Sequence, residues 1–175
     1  LPRRGPALIV ANHNSHLDAL VLVAMLPLRL LFHTRPAASA EYFLRGRWRA
    51  WFATEVIGII PVETGGGRPH AEVLGKVRDA LAAGNLVIFF PEGTRGEPEC
   101  LGKLKTGIVW LAQQLPDVPI CPVRLCGLGR VLPKGDWLPV PFFCDAWVGE
   151  PLHWEGDRQR LMTALVANLG GSLVT

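Results

Sequence analysis

Short apolar runs typical of buried strands alternate with helix-like segments along the whole chain. Runs of this kind, rich in Val, Ile and Leu, favour strands that are buried on both faces. Strands alternating with helices predict an α/β layered single domain, with a mostly parallel mixed sheet flanked by helices. Pro61 favours an edge position or a strand end for the third strand. We predict strands over 7–11, 30–32, 56–62, 86–90, 120–125 and 145–148, and helices over 15–26, 40–53, 70–83, 106–115 and 158–169.

The size and charge of the chain limit its function classes. A chain of 175 residues, 49% of them hydrophobic, fits one domain with a continuous core. Residues 1–50 hold seven Lys or Arg against two Asp or Glu, a balance of +5, whereas residues 51–175 balance at −2. A basic excess of this size suits an anionic membrane surface or a phosphate-bearing ligand and is too small to indicate nucleic acid. The four cysteines match no zinc or redox spacing.

A histidine and an aspartate, His13 and Asp18, follow the first predicted strand at a spacing of five positions. A regular helix turns about 100° per residue, so the two side chains cannot meet if both lie within a helix. They can meet if His13 precedes the helix and Asp18 lies in its first turn. Ser15 suits the N-cap of that helix, in a capping box with Asp18. Asp18 would then accept the Nδ1 proton of His13 and leave Nε2 free to act as a general base.

Two other interpretations of this segment stay open. Asp18 could serve only as a capping acid, with His13 an ordinary turn residue. A metal site built from His13, His16 and Asp18 would lack a fourth ligand and has no recognised spacing.

A second polar segment, residues 91–96, follows the predicted strand over 86–90. It places the Glu92 carboxylate, the Thr94 hydroxyl and the Arg95 guanidinium in a glycine-flanked turn, where the backbone can approach a ligand closely. Arg95 suits phosphate or carboxylate, and Lys103 and Lys105 add positive charge nearby. An ordinary polar loop with a solvated arginine is the alternative. Both segments lie where strands give way to helices, which is where active sites of such sheets gather.

The two segments, in this order and at this distance, resemble the glycerolipid acyltransferase family, the PlsC-like group that includes lysophosphatidic acid acyltransferases. The family's first block, Asn-His, four residues and Asp, is matched by Asn12, His13 and Asp18. Its third block, Pro-Glu-Gly-Thr-Arg, is matched over 91–95. An apolar segment with two prolines over 118–123 and a Gly-x-Pro turn over 149–151 extend the resemblance across residues 7–152.

This resemblance implies an O-acyltransferase that moves a fatty acyl group from acyl-CoA or an acyl-carrier protein to the hydroxyl of a lysophospholipid, with lysophosphatidic acid as the type of acceptor. His13 would act as general base and Asp18 would orient it, without an acyl-enzyme. No cofactor or metal is expected, because the thioester donor is itself a substrate. Residues of the third block and a nearby lysine would bind substrate: Glu92, Gly93, Thr94, Arg95 and Lys105.

The second block departs from the family pattern. Gly-Ile-Ile-Pro-Val-Glu over 58–63 fits, but Thr64 stands where an arginine is expected. In the family that arginine is credited with holding the acceptor's phosphate. Either Arg68 or Arg124 replaces it, or the acceptor is not a glycerol phosphate.

Two other function classes stay open. The domain could be a catalytically silent lipid-binding module, or a thioester hydrolase that uses the same histidine and aspartate on water. The sequence has no Gly-x-Ser-x-Gly, which argues against a serine hydrolase.

Membrane contact is expected at residues 42–52, where aromatic residues interleave with arginines, although the same pattern also fits core-facing aromatics. No apolar run reaches the ~20 residues of a spanning helix, and the longest covers 19–28. We expect a single acyltransferase domain over 1–175, working at the cytoplasmic face of a membrane. It would be held there peripherally or by an N-terminal segment absent from this chain.

Overall fold

Strands and helices alternate as predicted in the computed structural model, which describes residues 1–15, 17–40, 58–63, 68–94, 96, 100–128 and 144–171. The strands are β1 (Ala7–Ala11), β2 (Thr34–Ser39), β3 (Ile60–Val62), β4 (Leu86–Phe89), β5 (Ile120–Cys126) and β6 (Asp145–Val148). The helices are α1 (Asp18–Ala24), α2 (Leu28–Leu31), α3 (His70–Ala82), α4 (Gly107–Gln114) and α5 (Arg158–Leu169). The α/β class is confirmed.

The described strands form one sheet in the order β3-β2-β4-β1-β5-β6. Neighbouring strands are parallel from β3 to β5, and β6 runs antiparallel to β5. β1 and β4 lie side by side in the middle, with Val10 opposite Phe89. Because the carboxyl ends of parallel strands share one edge of a sheet, the segments that follow β1 and β4 meet there.

The sheet is covered on both faces, which is why its central strands are apolar throughout. Every residue of β1 is buried, and its side chains alternate between two cores. Leu8 and Val10 belong to the core that contains the buried residues of α3, α4 and α5. Ile9 belongs to the opposite core, which contains Leu22 of α1 and Leu30 of α2. Cys121 lies in this second core, where burial raises the pKa of its thiol.

The predicted strand over 30–32 is wrong, because those residues fall at the end of α2 and the strand β2 follows them. Pro27, with φ of −57°, immediately precedes the short helix, and such a φ suits a chain entering a helical turn. Leu30 is buried there, and its carbonyl accepts the Thr34 hydroxyl at 2.8 Å. The true strand, Thr-Arg-Pro-Ala-Ala-Ser, is small and polar, so it lacks the apolar signal of a central strand.

Other elements agree with the prediction apart from their ends. The helix predicted over 15–26 spans only Asp18–Ala24. The predicted edge position of the strand carrying Pro61 is confirmed, since β3 is the last of the described strands on its side of the sheet. Gly84 and Gly170 follow α3 and α5 with φ of 86°, a left-handed conformation that glycine adopts at no steric cost. The helix predicted over 40–53 and the loop over 65–67 lie almost entirely outside the described residues.

Across the described part of the chain, no helix combines the length and the apolar character needed to cross a bilayer.

Candidate active site

His13 and Asp18 meet at the carboxyl end of β1. His13 lies in the turn that leaves the strand, and Asp18 is the first residue of α1, as their spacing requires. The Nδ1 atom of His13 lies 2.9 Å from Oδ2 of Asp18. The side chain of Asp18 is fully buried, whereas that of His13 is 22% exposed. The imidazole is therefore anchored at one nitrogen from the protein interior while the ring remains accessible.

The Asp18 carboxylate also organises the turn between the strand and the helix. Its Oδ2 atom accepts the backbone N–H groups of Asn14 at 2.6 Å and Ser15 at 2.8 Å. Only the acidic half of the predicted capping box is formed, because the Ser15 hydroxyl accepts the N–H of Leu17 at 3.3 Å instead of that of Asp18. The helix accordingly begins at Asp18, with Leu17 as its N-cap, and not at Ser15.

Glu92 joins the second polar segment to the first. Its Oε1 accepts the backbone N–H of His13, and its Oε2 accepts that of Gly102, both at 2.8 Å. Gly96 donates its N–H to the His13 carbonyl at 3.1 Å. The Phe90 ring stacks on the imidazole, with centroids 4.3 Å apart. His13 is thus held through its backbone, its ring face and its Nδ1 atom.

Asn12 fixes the end of β1 against β5. Its side-chain amide donates to the Leu125 carbonyl at 2.8 Å, and its side-chain oxygen accepts the Leu125 N–H at 2.7 Å. In the sequence Asn12 belongs to the first block of the motif, and no local pattern indicates its role. Its position directly before His13 is the one sequence signal of a role at the site. Its hydrogen-bond partner, Leu125, lies 113 positions away and cannot be inferred from the local sequence.

A groove of about 600 Å³ opens beside this arrangement. The Lys105 backbone N–H is tied to the Pro91 carbonyl at 2.8 Å, and this bond holds the two walls of the groove together. The polar residues that line it are His70, Glu92, Thr94, Lys103, Lys105 and Thr106. Of the residues predicted to bind substrate, the structure therefore brings Glu92, Thr94 and Lys105 together.

Gly93 lies under the Lys105 side chain. Its φ is +72°, and a Cβ placed on it would lie 2.5 Å from the Lys105 Nζ atom. A side chain there would be strained by the backbone and would also displace the lysine from the groove.

We expect Gly93→Ala to lower the free energy of unfolding by about 1–2 kcal/mol, because an L-residue disfavours the left-handed region. Urea denaturation measures this loss. Gly75→Ala in the middle of α3 is the matched control, since a Cβ there meets nothing within 4 Å. That control should gain about 0.5–1 kcal/mol, as alanine is the better helix former. Equal stability of Gly93→Ala and the wild type would contradict the left-handed backbone conformation at Gly93.

The two arginines proposed to replace the missing one are engaged elsewhere. Arg68 hydrogen bonds Glu63 and lies 3.6 Å from Glu72. Arg124 lies over the Trp147 ring, 5.7 Å from its centroid. The described residues that line the groove include neither arginine. Arg95, Thr64 and His16 lie outside the described residues.

The chain is similar in sequence to curated acyltransferases. The human 1-acyl-sn-glycerol-3-phosphate acyltransferase alpha is 31% identical over 175 residues, which are 99% of this chain and 59% of that protein. The chloroplastic 1-acyl-sn-glycerol-3-phosphate acyltransferase of Arabidopsis thaliana is 30% identical over 130 residues, which are 74% of this chain and 34% of that protein. The chain therefore spans about one third to three fifths of the length of these curated relatives.

The fold has a close counterpart among solved structures. The crystal structure of the 1-acyl-sn-glycerophosphate acyltransferase PlsC from Thermotoga maritima superposes with a TM-score of 0.73 at 21% identity, covering 96% of this chain and 65% of that chain. A family model described as Acyltransferase matches residues 1–126, well over half of the chain. With this match, and with the first and third sequence blocks joined at one edge of the sheet, the chain belongs to the Acyltransferase family.

Proposed function

We propose that the chain transfers a fatty acyl group from a thioester, acyl-CoA or acyl-carrier protein, to the hydroxyl of a lysophospholipid of the lysophosphatidic acid kind. One observation carries this proposal: the 2.9 Å contact between His13 Nδ1 and the buried Asp18 carboxylate. A histidine held in this way keeps Nε2 available for a proton, which is what the activation of an alcohol requires.

In the proposed mechanism His13 takes the proton of the acceptor hydroxyl as its oxygen attacks the thioester carbonyl. The C–S bond then breaks, and the imidazolium returns the proton to the leaving thiolate. The products are an ester and a free thiol, so the reaction consumes nothing besides its two substrates. Asp18 stabilises the imidazolium between the two proton transfers, much as the aspartate of a serine-hydrolase triad does. No acyl-enzyme forms in this scheme.

The acceptor is proposed to occupy the groove beside Glu92. Both Glu92 oxygens accept backbone N–H groups, so its part is to shape the site by holding His13 and Gly102. Gly93 leaves room for Lys105, and Thr94 lines the groove. Lys105 is proposed to bind the acceptor's negative headgroup, together with Arg95, the last residue of the Pro-Glu-Gly-Thr-Arg motif. Lys105 would thereby compensate in part for Thr64.

We expect Lys105→Met to raise the KM for lysophosphatidic acid about tenfold, because it removes a hydrogen bond to a charged group at an exposed position. The KM for an acceptor without a phosphate, such as a monoacylglycerol, should change little. Steady-state kinetics with both acceptors measure the difference. Lys76→Met, at an exposed position on α3, is the control. An equal change for both acceptors would show that Lys105 does not recognise the phosphate.

The proposed transferase is tested by thioester consumption with and without lysolipid. Release of thiol that requires the acceptor and matches the diacyl product in amount supports a transferase. Release without acceptor would instead identify a hydrolase, and no release at all with any donor would favour a lipid-binding domain. Mass spectrometry of the products from a panel of lysolipids identifies the head group.

The proposed place of action is the cytoplasmic face of a membrane. Both substrates carry fatty chains, and the basic excess of the first 50 residues suits an anionic lipid surface. The 175 residues would act as a single acyltransferase domain, attached peripherally or by a segment outside them.

A further inference from the structure

Large apolar side chains are exposed on the outer side of α1 and α2. Leu28 and Phe32 are 80% and 84% exposed, and Leu20 is 64% exposed. Met25, which lies between Leu20 and Leu28 in the sequence, is 38% exposed. These four residues define the α1–α2 face. Isolated exposed leucines are ordinary, but four large exposed apolar side chains within thirteen consecutive positions favour an interaction site.

The inner side of the same segment is already used by the core. Leu22, Leu26 and Leu30 are buried against the sheet, in the core that also contains Ile9. The segment is therefore apolar on both sides, and its outer side has no packing role in the described part of the chain. Apart from the buried Asp18, α1 is apolar all round, whereas a surface helix usually carries polar residues on its outer side.

One exposed basic side chain lies on α2, and two more lie near the start of the chain. Arg29 is exposed next to Leu28 on α2. Arg3 and Arg4 are also exposed, and the neighbouring Leu1 packs against the core shared with α1 and α2. Asp18 is the only acidic residue in the first 40 positions, and its side chain is fully buried. Exposed apolar side chains accompanied by exposed arginines complement the acyl boundary and the negative headgroups of an anionic bilayer.

We propose that the α1–α2 face docks this domain onto an anionic lipid bilayer, with Leu28 and Phe32 inserted at the level between headgroups and acyl chains. The inference deepens the proposed function, on which it rests, by naming the surface that contacts the membrane. Leu20 lies two residues after Asp18 on α1, a rise of about 3 Å along a helix. Leu28 and Phe32 precede β2, whose first residue Thr34 pairs with Leu86 at the start of β4, so the face extends from the sheet edge that carries the histidine–aspartate pair to the opposite edge.

The test is flotation of the 175-residue chain with two kinds of vesicle, phosphatidylcholine alone and phosphatidylcholine mixed with phosphatidylglycerol. We expect binding to the anionic vesicles and weaker binding to the neutral ones. Leu28→Ser with Phe32→Ser should lower the partition coefficient about 100-fold, because two large side chains lose their burial in lipid. Each of Arg3→Gln, Arg4→Gln and Arg29→Gln should lower it about fivefold at low salt.

Trp147→Ser is the matched control, since Trp147 is 61% exposed but lies on β6, beyond β5 in the sheet. It should bind anionic vesicles like the wild type. Unchanged binding of the Leu28→Ser, Phe32→Ser variant, or an equal loss in Trp147→Ser, would overturn the proposal. A loss of dimer on gel filtration in the double variant, without a change in vesicle binding, would assign the face to a second copy of the chain instead.

Turnover of a short-chain donor and acceptor, both dissolved as monomers without vesicles, separates this inference from the proposed function. The double variant should keep the wild-type kcat/KM in that assay, since it leaves the groove and the histidine untouched. Absence of turnover in the wild type together with normal vesicle binding would refute the transferase and leave the docking face intact. Circular dichroism verifies that each variant is folded.

Discussion

Replacing His13 with alanine is expected to lower kcat by about 10²–10⁴-fold, the usual contribution of a positioned general base. The fold should survive, because the imidazole is partly exposed and its stacking contact with Phe90 is worth only about 0.5–1.5 kcal/mol. The contact with Asp18 is also lost, but Oδ2 of Asp18 still accepts the backbone N–H groups of Asn14 and Ser15. Glu92 binds the backbone N–H of residue 13 and not its side chain, so the turn keeps that support in the variant. Steady-state turnover and urea denaturation measure the two effects separately.

His153→Ala is the control for this experiment, since His153 is exposed and follows Leu152, which pairs with Ile120 at the amino end of β5, the opposite end of the sheet from His13. It should retain wild-type kcat. Turnover within a fewfold of wild type in His13→Ala would contradict a role for this histidine in proton transfer. A large loss of stability in the same variant would mean that the ring is chiefly structural.

Replacing Asp18 with asparagine is expected to lower kcat on the order of 10²–10³-fold. The amide oxygen can still accept the N–H groups of Asn14 and Ser15, so the turn should persist. The negative charge beside the imidazolium is lost, however, and a unit charge at about 4 Å contributes about 4 kcal/mol at an effective dielectric constant near 20. Since that charge is needed only when His13 holds the proton, the loss should appear in kcat.

Asp157→Asn is a closely matched control. Like Asp18, Asp157 lies at the start of a helix and accepts two backbone N–H groups, from Gln159 at 2.7 Å and Arg160 at 3.1 Å. The Asp157→Asn variant should therefore remain folded and keep the wild-type kcat. If Asp18→Asn behaved like Asp157→Asn, Asp18 would be a capping residue and nothing more.

The parts of the fold predictable from sequence are those with a strong local signal. The helix Arg158–Leu169 was predicted with its observed ends because three leucines recur on one side and Gly170 follows. The His13–Asp18 contact was predictable because it depends on a spacing of five residues and a helix start between them. β2 was missed because Arg35 and Pro36 interrupt a strand whose burial comes from its neighbours and not from its own apolar pattern.

The long-range part of the site could not be derived in the same way. Glu92 contacts the backbone of His13 because β4 pairs with β1. Neither strand sequence by itself indicates that these two strands are neighbours. The contact between Asn12 and Leu125 depends equally on the pairing of β1 with β5. Sequence predicts which side chains carry the chemistry, whereas the sheet order decides which backbone groups hold them in place.

The most direct test of the proposed mechanism is the protonation state of the His13 ring nitrogens, measured by long-range proton–nitrogen NMR on ring-labelled protein, with His13→Ala used to assign the signals. We expect the neutral ring to carry its proton on Nδ1, towards Asp18, with a pyridine-type Nε2 that shifts when lysolipid is added. A neutral ring protonated at Nε2 would contradict the mechanism, because that nitrogen could not accept a proton from the acceptor hydroxyl.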